Sequence, residues 1–208
     1  MYLQYLAILP AVFLTYLPWL QTSAIIPCLG PGVSSTLEAL ITCFDGYTVP
    51  QDTYRTNDEY IAAQANSDER SEWNAAVASL LTVDGNCTSS VLPAGLSEVY
   101  HVSLFAEAGV NGKSFCVLSE INSLDSHYAR GWGLMVVPAT RSGVSRCIHI
   151  SAPHPKYDQN TPNQAAAIFK NTGAKSLFIA GRHRDAYSLA RSCVNDDYSK
   201  TDPAHDVV

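Results

Sequence analysis

Trp73, Ala76, Val77 and Leu80 recur at steps of three and four within residues 57–81, the spacing that lines one face of a helix. Asp58 and Glu59 suit the first turn of that helix, because acidic groups are favoured at the positive end of a helix dipole. Asp84-Gly85-Asn86 marks a turn after it. Residues 25–56 are rich in Pro, Gly, Ser and Thr and read as an irregular lead-in. That lead-in holds one short helical stretch, Ser35 to Cys43, capped by Ser34 or Ser35, with Leu37, Leu40 and Ile41 on a common face.

The pattern then changes from helix to strand. Residues 97–105 and 114–121 carry aromatic and β-branched side chains and are separated by Gly109 and Asn111-Gly112, which predicts an antiparallel pair. A second hairpin is predicted from Gly133–Pro138 and Val144–Ser151, joined through Thr140-Arg-Ser-Gly143. After Ser151 comes a loop to Asn160. Thr161 then suits a cap, Pro162 the first helical position and Gln164 the reciprocal capping contact. Ala165, Ile168 and Phe169 form the buried face of this helix, Gly173 stops it, and Lys175–Gly181 follows as a buried strand. Strand, helix and strand in so short a span make a βαβ crossover, whose two strands run parallel and adjacent. The fold class expected is α/β, a mixed sheet with at least one parallel βαβ crossover and helices on its faces.

Composition narrows what such a domain does. The chain has 208 residues, 15% of them charged, and a formal net charge of −6. Residues 1–24 hold no charge at all. An apolar run from Leu6 to Leu20 ends in Thr22-Ser23-Ala24, the form of a secretory signal with its cleavage site, although the segment lacks an N-terminal Lys or Arg. Three divisions follow: residues 1–24 as signal peptide, 25–56 as lead-in and 57–208 as the α/β domain. The protein is thus expected to be extracellular, with no stable membrane insertion once the signal is removed; the alternative is a retained membrane anchor, whose helix Pro10 and Pro18 would interrupt. A pI near 5.4 without a basic stripe argues against nucleic acid as a partner, because phosphate binding needs clustered Lys and Arg. The six cysteines, at 28, 43, 87, 116, 147 and 193, all follow the proposed cut, and an even count in an exported chain favours disulfides. No Cys-x-x-Cys pair suggests a thiolate metal site. Asn86-Cys87-Thr88 fits the N-glycosylation triplet.

The crossover carries the candidate chemistry. In open α/β sheets, ligands bind beyond the carboxyl ends of the strands, and both loops at that end hold histidine. The first supplies His154 and Asp158 and the second His183. Two imidazoles and a carboxylate give a catalytic zinc ion three ligands and leave a fourth position for water. Zinc lowers the pKa of that water to roughly 7, so hydrolysis is the expected reaction, with one zinc ion as cofactor. Arg182 and Arg184 flank His183 and are candidates for holding an anionic group of the substrate. Glu120 and Asp125, at or beyond a strand end, are candidate general bases. Asp202 and His205 near the C-terminus form either a supporting pair, a proton shuttle or an exposed tail. His149 reads as a buried, hydrogen-bonded side chain or, less readily, a further ligand.

The motifs Ala152-Pro-His-Pro-Lys-Tyr-Asp158, the helix from Thr161 and Ala180-Gly-Arg-His-Arg184 resemble those of the zinc carboxypeptidase and N-acetylmuramoyl-L-alanine amidase fold. The resemblance spans about residues 131–205. It implies zinc held by a His and an acid from one loop and a His from a later one, at His154, Asp158 and His183, and amide or peptide-like substrates. Asp158 stands four residues after His154, where carboxypeptidases place a Glu after a two-residue gap. Two alternatives stand beside this reading: a metal-dependent phosphoesterase, with Arg182 and Arg184 on phosphate, and a secreted binding or effector protein without catalysis.

Overall fold

The computed structural model describes residues 23–89, 92–188 and 202–203. In chain order its elements are β1 (Ser23–Ile25), α1 (Leu37–Gly46), α2 (Asn57–Ala63), α3 (Ser67–Leu80), α4 (Ala94–Ser97), β2 (Tyr100–Ala106), β3 (Ser114–Glu120), β4 (Asn122–Leu124), β5 (His127–Tyr128), β6 (Leu134–Pro138), β7 (Arg146–Ala152), α5 (Thr161–Thr172) and β8 (Ala174–Ile179). Five strands form a mixed sheet in the order β2-β3-β6-β8-β7, and β1-β4-β5 form a small second sheet. The fold is α/β, as the sequence predicts.

Alternation along the strands divides the core into two layers. Phe115, Val117, Leu134, Val136, Leu177 and Ile179 face α1 and α5, where Leu37, Leu40, Ile41, Phe44, Ala165, Ala166 and Phe169 complete one cluster. Cys116, Leu118, Met135 and Val137 point the opposite way, onto Trp73, Ala76 and Leu80 of α3 and Leu96 of α4. The supposed lead-in therefore belongs to the core: Leu37, Leu40 and Ile41 are fully buried. Its helix is capped by Thr36, whose hydroxyl accepts from the Ala39 amide.

The single helix predicted over 57–81 is two. α2 ends at Gln64, and Asn66 caps α3 with a reciprocal contact from Glu69. Thr56 and Glu59 make the same capping box at the start of α2, so each helix carries its own start signal. The hairpin predicted from residues 133–138 and 144–151 does not form. β8 lies between β6 and β7, antiparallel to the first and parallel to the second. The βαβ crossover sets this order, since α5 returns the chain beside β7 on the side that β6 would otherwise occupy.

α5 starts one residue away from the predicted cap. Asn160, in the left-handed region at φ 61°, takes the cap position, and Pro162 lies in the first turn. Gly173 ends the helix at φ 62°; a Cβ there would stand 2.7 Å from the Ser145 hydroxyl. Ile168 is half exposed rather than buried, and Ala166 takes its place on the inner face.

Cys28 bonds Cys43, and Cys87 bonds Cys116. Cys147 is an exposed thiol on β7, and Cys193 lies outside the described residues. Peptide mapping without reduction is expected to recover the 28–43 and 87–116 pairs. Any bridge from Cys28 to Cys87 or Cys116 would contradict this arrangement.

Candidate functional site

β7 and β8 run parallel with Ala152 opposite Ile179, and the Ala180 amide continues the ladder to the Ala152 carbonyl at 3.2 Å. The two loops therefore leave the sheet side by side at one end. The first turns sharply. Lys156 has φ 60° and the Asp158 amide donates to the His154 carbonyl at 3.0 Å, which brings the Asp158 carboxylate back to His154. The Asp158 carbonyl in turn accepts from the Thr161 hydroxyl at 2.7 Å, so the turn is tied to the start of α5.

His154 stands between two acids. Its Nδ1 lies 3.0 Å from Asp158 Oδ2 and its Nε2 3.2 Å from Asp202 Oδ2. The same Asp202 oxygen is 3.5 Å from Arg184 Nη2. Asp202 thus meets the first loop, on the far nitrogen of the His154 imidazole. His205 lies outside the described residues.

The second loop is held from below. The His183 amide donates to the Val49 carbonyl at 2.9 Å, and the Val49 amide to the Gly181 carbonyl at 2.9 Å. Gly181 permits this close passage: a Cβ there would meet the backbone of Gly131 and Gly133 at 2.7 Å. His183 is buried, and its Nδ1 accepts the Asp185 amide at 3.0 Å. Burial, ahead of the opposing charge of Asp185, pushes its pKa below the ordinary histidine value; the neutral ring with its proton on Nε2 satisfies that hydrogen bond.

Tyr157 joins the two loops. Its ring meets His154 edge-on at 6.2 Å and His183 at 5.5 Å between centroids, while the Arg184 guanidinium lies 4.8 Å above it. Sequence reading passes over Tyr157, although an aromatic between His154 and Asp158 is a legible clue to a packed rather than a loose turn.

Other candidates lie elsewhere. Glu120, expected as a general base, is 2% exposed and accepts the amides of Arg130 at 2.7 Å and Gly131 at 3.0 Å. Arg182, expected to bind substrate, is fully buried. Its guanidinium donates to the Arg130 and Ala63 carbonyls at 2.8 and 2.5 Å and lies against the rings of Tyr54 and Tyr60. Strand alternation explains the split: consecutive residues after β8 point in opposite directions, so His183 faces the loops and Arg182 the core. A phosphate-binding pair at 182 and 184 is therefore reduced to Arg184. Asp125 occupies the turn between β4 and β5 at φ 49°. His149 is exposed rather than buried, and its Nδ1 lies 2.5 Å from the hydroxyl of Ser176.

The donor set fits a cation in part. Two ligands of a tetrahedral ion at about 2.0–2.1 Å stand roughly 3.3 Å apart, close to the 3.0 Å between His154 Nδ1 and Asp158 Oδ2. A carboxylate on the far nitrogen of a metal-bound histidine is the usual supporting contact, and Asp202 occupies that place. Among the described residues, no three His, Cys, Asp or Glu side chains are gathered closely enough to hold a metal, and the Nδ1 of His183 is engaged by Asp185. His154 and Asp158 alone therefore stand at the spacing of two ligands, and His183 would join them only by giving up the hydrogen bond from the Asp185 amide and freeing a ring nitrogen of its proton. No protein-family model matches this chain, and neither a curated protein nor a solved structure matches it.

Proposed function

We propose that this chain is an exported, metal-dependent hydrolase of amide or peptide-like bonds, distantly related to zinc carboxypeptidases and N-acetylmuramoyl-L-alanine amidases. Zinc would be held by His154, Asp158 and His183. The observation that carries the reading is the Asp202–His154–Asp158 array, built on a loop that leaves the sheet beside that of His183 and met there by Asp202 from the C-terminal region. One carboxylate faces each ring nitrogen of His154.

When bound, zinc supplies a polarised water and a Lewis acid for the carbonyl to be cleaved. Asp202 fixes the ring orientation of His154, and Arg184, already set against Asp202 and Tyr157, offers its remaining donors to an anionic group of the substrate. Burial favours neutral His183, the form that can ligate a metal once the Asp185 amide releases its Nδ1. Export accords with the two disulfides.

Elemental analysis of purified protein is the test. One zinc per chain is expected, absent from His154→Ala and His183→Ala variants whose circular dichroism is unchanged. Asp202→Asn is expected to weaken zinc binding by about 10–100-fold, read by competition with a chromogenic chelator. Metal-free protein that takes up no zinc in titration would remove the hydrolase reading and leave the non-catalytic one.

A further inference from the structure

We propose that Asn86 is an N-glycosylated position, modified before the Cys87–Cys116 bridge closes, and that its glycan projects from the end of the sheet opposite the histidine loops. Asn86 and Thr88 are exposed, whereas Cys87 between them is buried and bonded to Cys116. The Asn86 carboxamide oxygen accepts the Thr88 hydroxyl at 2.7 Å and the Thr88 amide at 3.1 Å. Both recognition groups of the triplet thus stand together on the surface, and a bulky substituent at Asn86 has solvent to occupy.

Position in the sheet says where that substituent goes. The neighbouring Gly85 amide donates to the Ala139 carbonyl at 2.7 Å, and Ala139 follows the last residue of β6. The first residue of β6, Leu134, pairs with Ile179 at the end of β8 that leads to His183. The length of β6 therefore separates the glycan from the candidate site.

The buried, bridged Cys87 dictates the order of events. A transferase must draw Asn86 and Thr88 into its own cleft, and the closed disulfide holds the residue between them in the core. Cys116 lies 29 residues after Cys87, so in a chain exported from its N-terminus the triplet emerges while its bridging partner is still to come. In the transfer, the carboxamide nitrogen bonds to the anomeric carbon of a lipid-diphosphate-linked oligosaccharide. The anomeric carbon–oxygen bond breaks, the lipid diphosphate departs, and the amide gives up one proton.

Expression in eukaryotic secretory cells tests this, with protein from the medium and from the cells analysed separately. The expected result is secreted protein whose Asn86 peptide bears a glycan, with an endoglycosidase-sensitive gel shift that is lost in Asn86→Gln and Thr88→Ala. Occupancy in Cys116→Ser is expected to equal that of the natural chain, and Asn86→Gln is expected to keep the zinc stoichiometry of the natural chain. An unmodified Asn86 peptide from secreted protein overturns the proposal. So does an unmodified peptide from protein retained in the cells, which also removes export while leaving zinc binding to its own assay. Occupancy that appears only in Cys116→Ser overturns the stated order.

Discussion

An Arg182→Leu chain is expected to lose about 3–5 kcal/mol of folding stability, the usual consequence of removing one partner from a buried charged network. Arg182 has no exposed surface, and its donors close over the carbonyls of Arg130 and Ala63. Trp132 also donates to Ala63, at 3.0 Å, so the loss falls chiefly on the Arg130 carbonyl and on Glu120. The charge of Arg182 is one of the influences that favour ionised Glu120, and the substitution removes it. Leucine restores apolar contact with Tyr54 and Tyr60 but offers no donor. Lysine keeps the charge, yet a single ammonium lacks the Nε and Nη2 pair that converges on the Arg130 carbonyl, so Arg182→Lys should fall between the natural chain and Arg182→Leu. Urea unfolding followed by tryptophan fluorescence reads the effect, since Trp73 and Trp132 are both buried. Equal midpoints for Arg182→Leu and the natural chain would refute a structural role. Because His183 is the next residue, the same substitution is expected to weaken zinc binding secondarily, through displacement of its loop.

The contrast between Arg182 and His183 shows what the sequence makes legible. Local signals suffice for the crossover: Pro162 and Gly173 bound α5, a buried strand follows, and the two histidine loops emerge together because parallel adjacency leaves no other arrangement. Which neighbours β6 takes is not local. The Gly133–Pro138 and Val144–Ser151 segments have hairpin spacing, and only the insertion of β8 between them decides the sheet order. The lead-in was obscured by composition: its Gly and Pro residues surround a helix whose four apolar side chains, Leu37, Leu40, Ile41 and Phe44, are buried. Side-chain direction is least legible of all. Arg182 and Glu120 carry charge that sequence reading assigns to solvent or substrate, and both instead bind backbone groups in the core, whereas Tyr157 has an ordinary loop context and yet packs between the two histidines.

Glu120 is expected to make the stability of the natural chain decline between about pH 4.5 and 7, a trend that Glu120→Gln should remove. Burial, opposed by the amides of Arg130, Gly131 and Ala129 and by Arg182, raises its pKa from 4.5 to about 7. Over that interval the folded chain holds a proton that the unfolded chain has released, so folding is favoured on the acid side and the advantage disappears as pH rises through the folded value. The shift from 4.5 to about 7 corresponds to about 3 kcal/mol at 1.36 kcal/mol for each unit. Glutamine stays neutral throughout. Relative to the natural chain, Glu120→Gln should therefore gain about 3 kcal/mol between pH 4.5 and pH 8, whatever offset its lost acceptor introduces at the acid end. The lowered pKa of His183 acts in the opposite sense, adding stability as pH rises toward the unfolded histidine value. Both chains share it, so their difference isolates Glu120. Urea midpoints at four pH values give the comparison, and two curves that stay parallel from pH 4.5 to 8 would show that the Glu120 carboxyl is already ionised throughout.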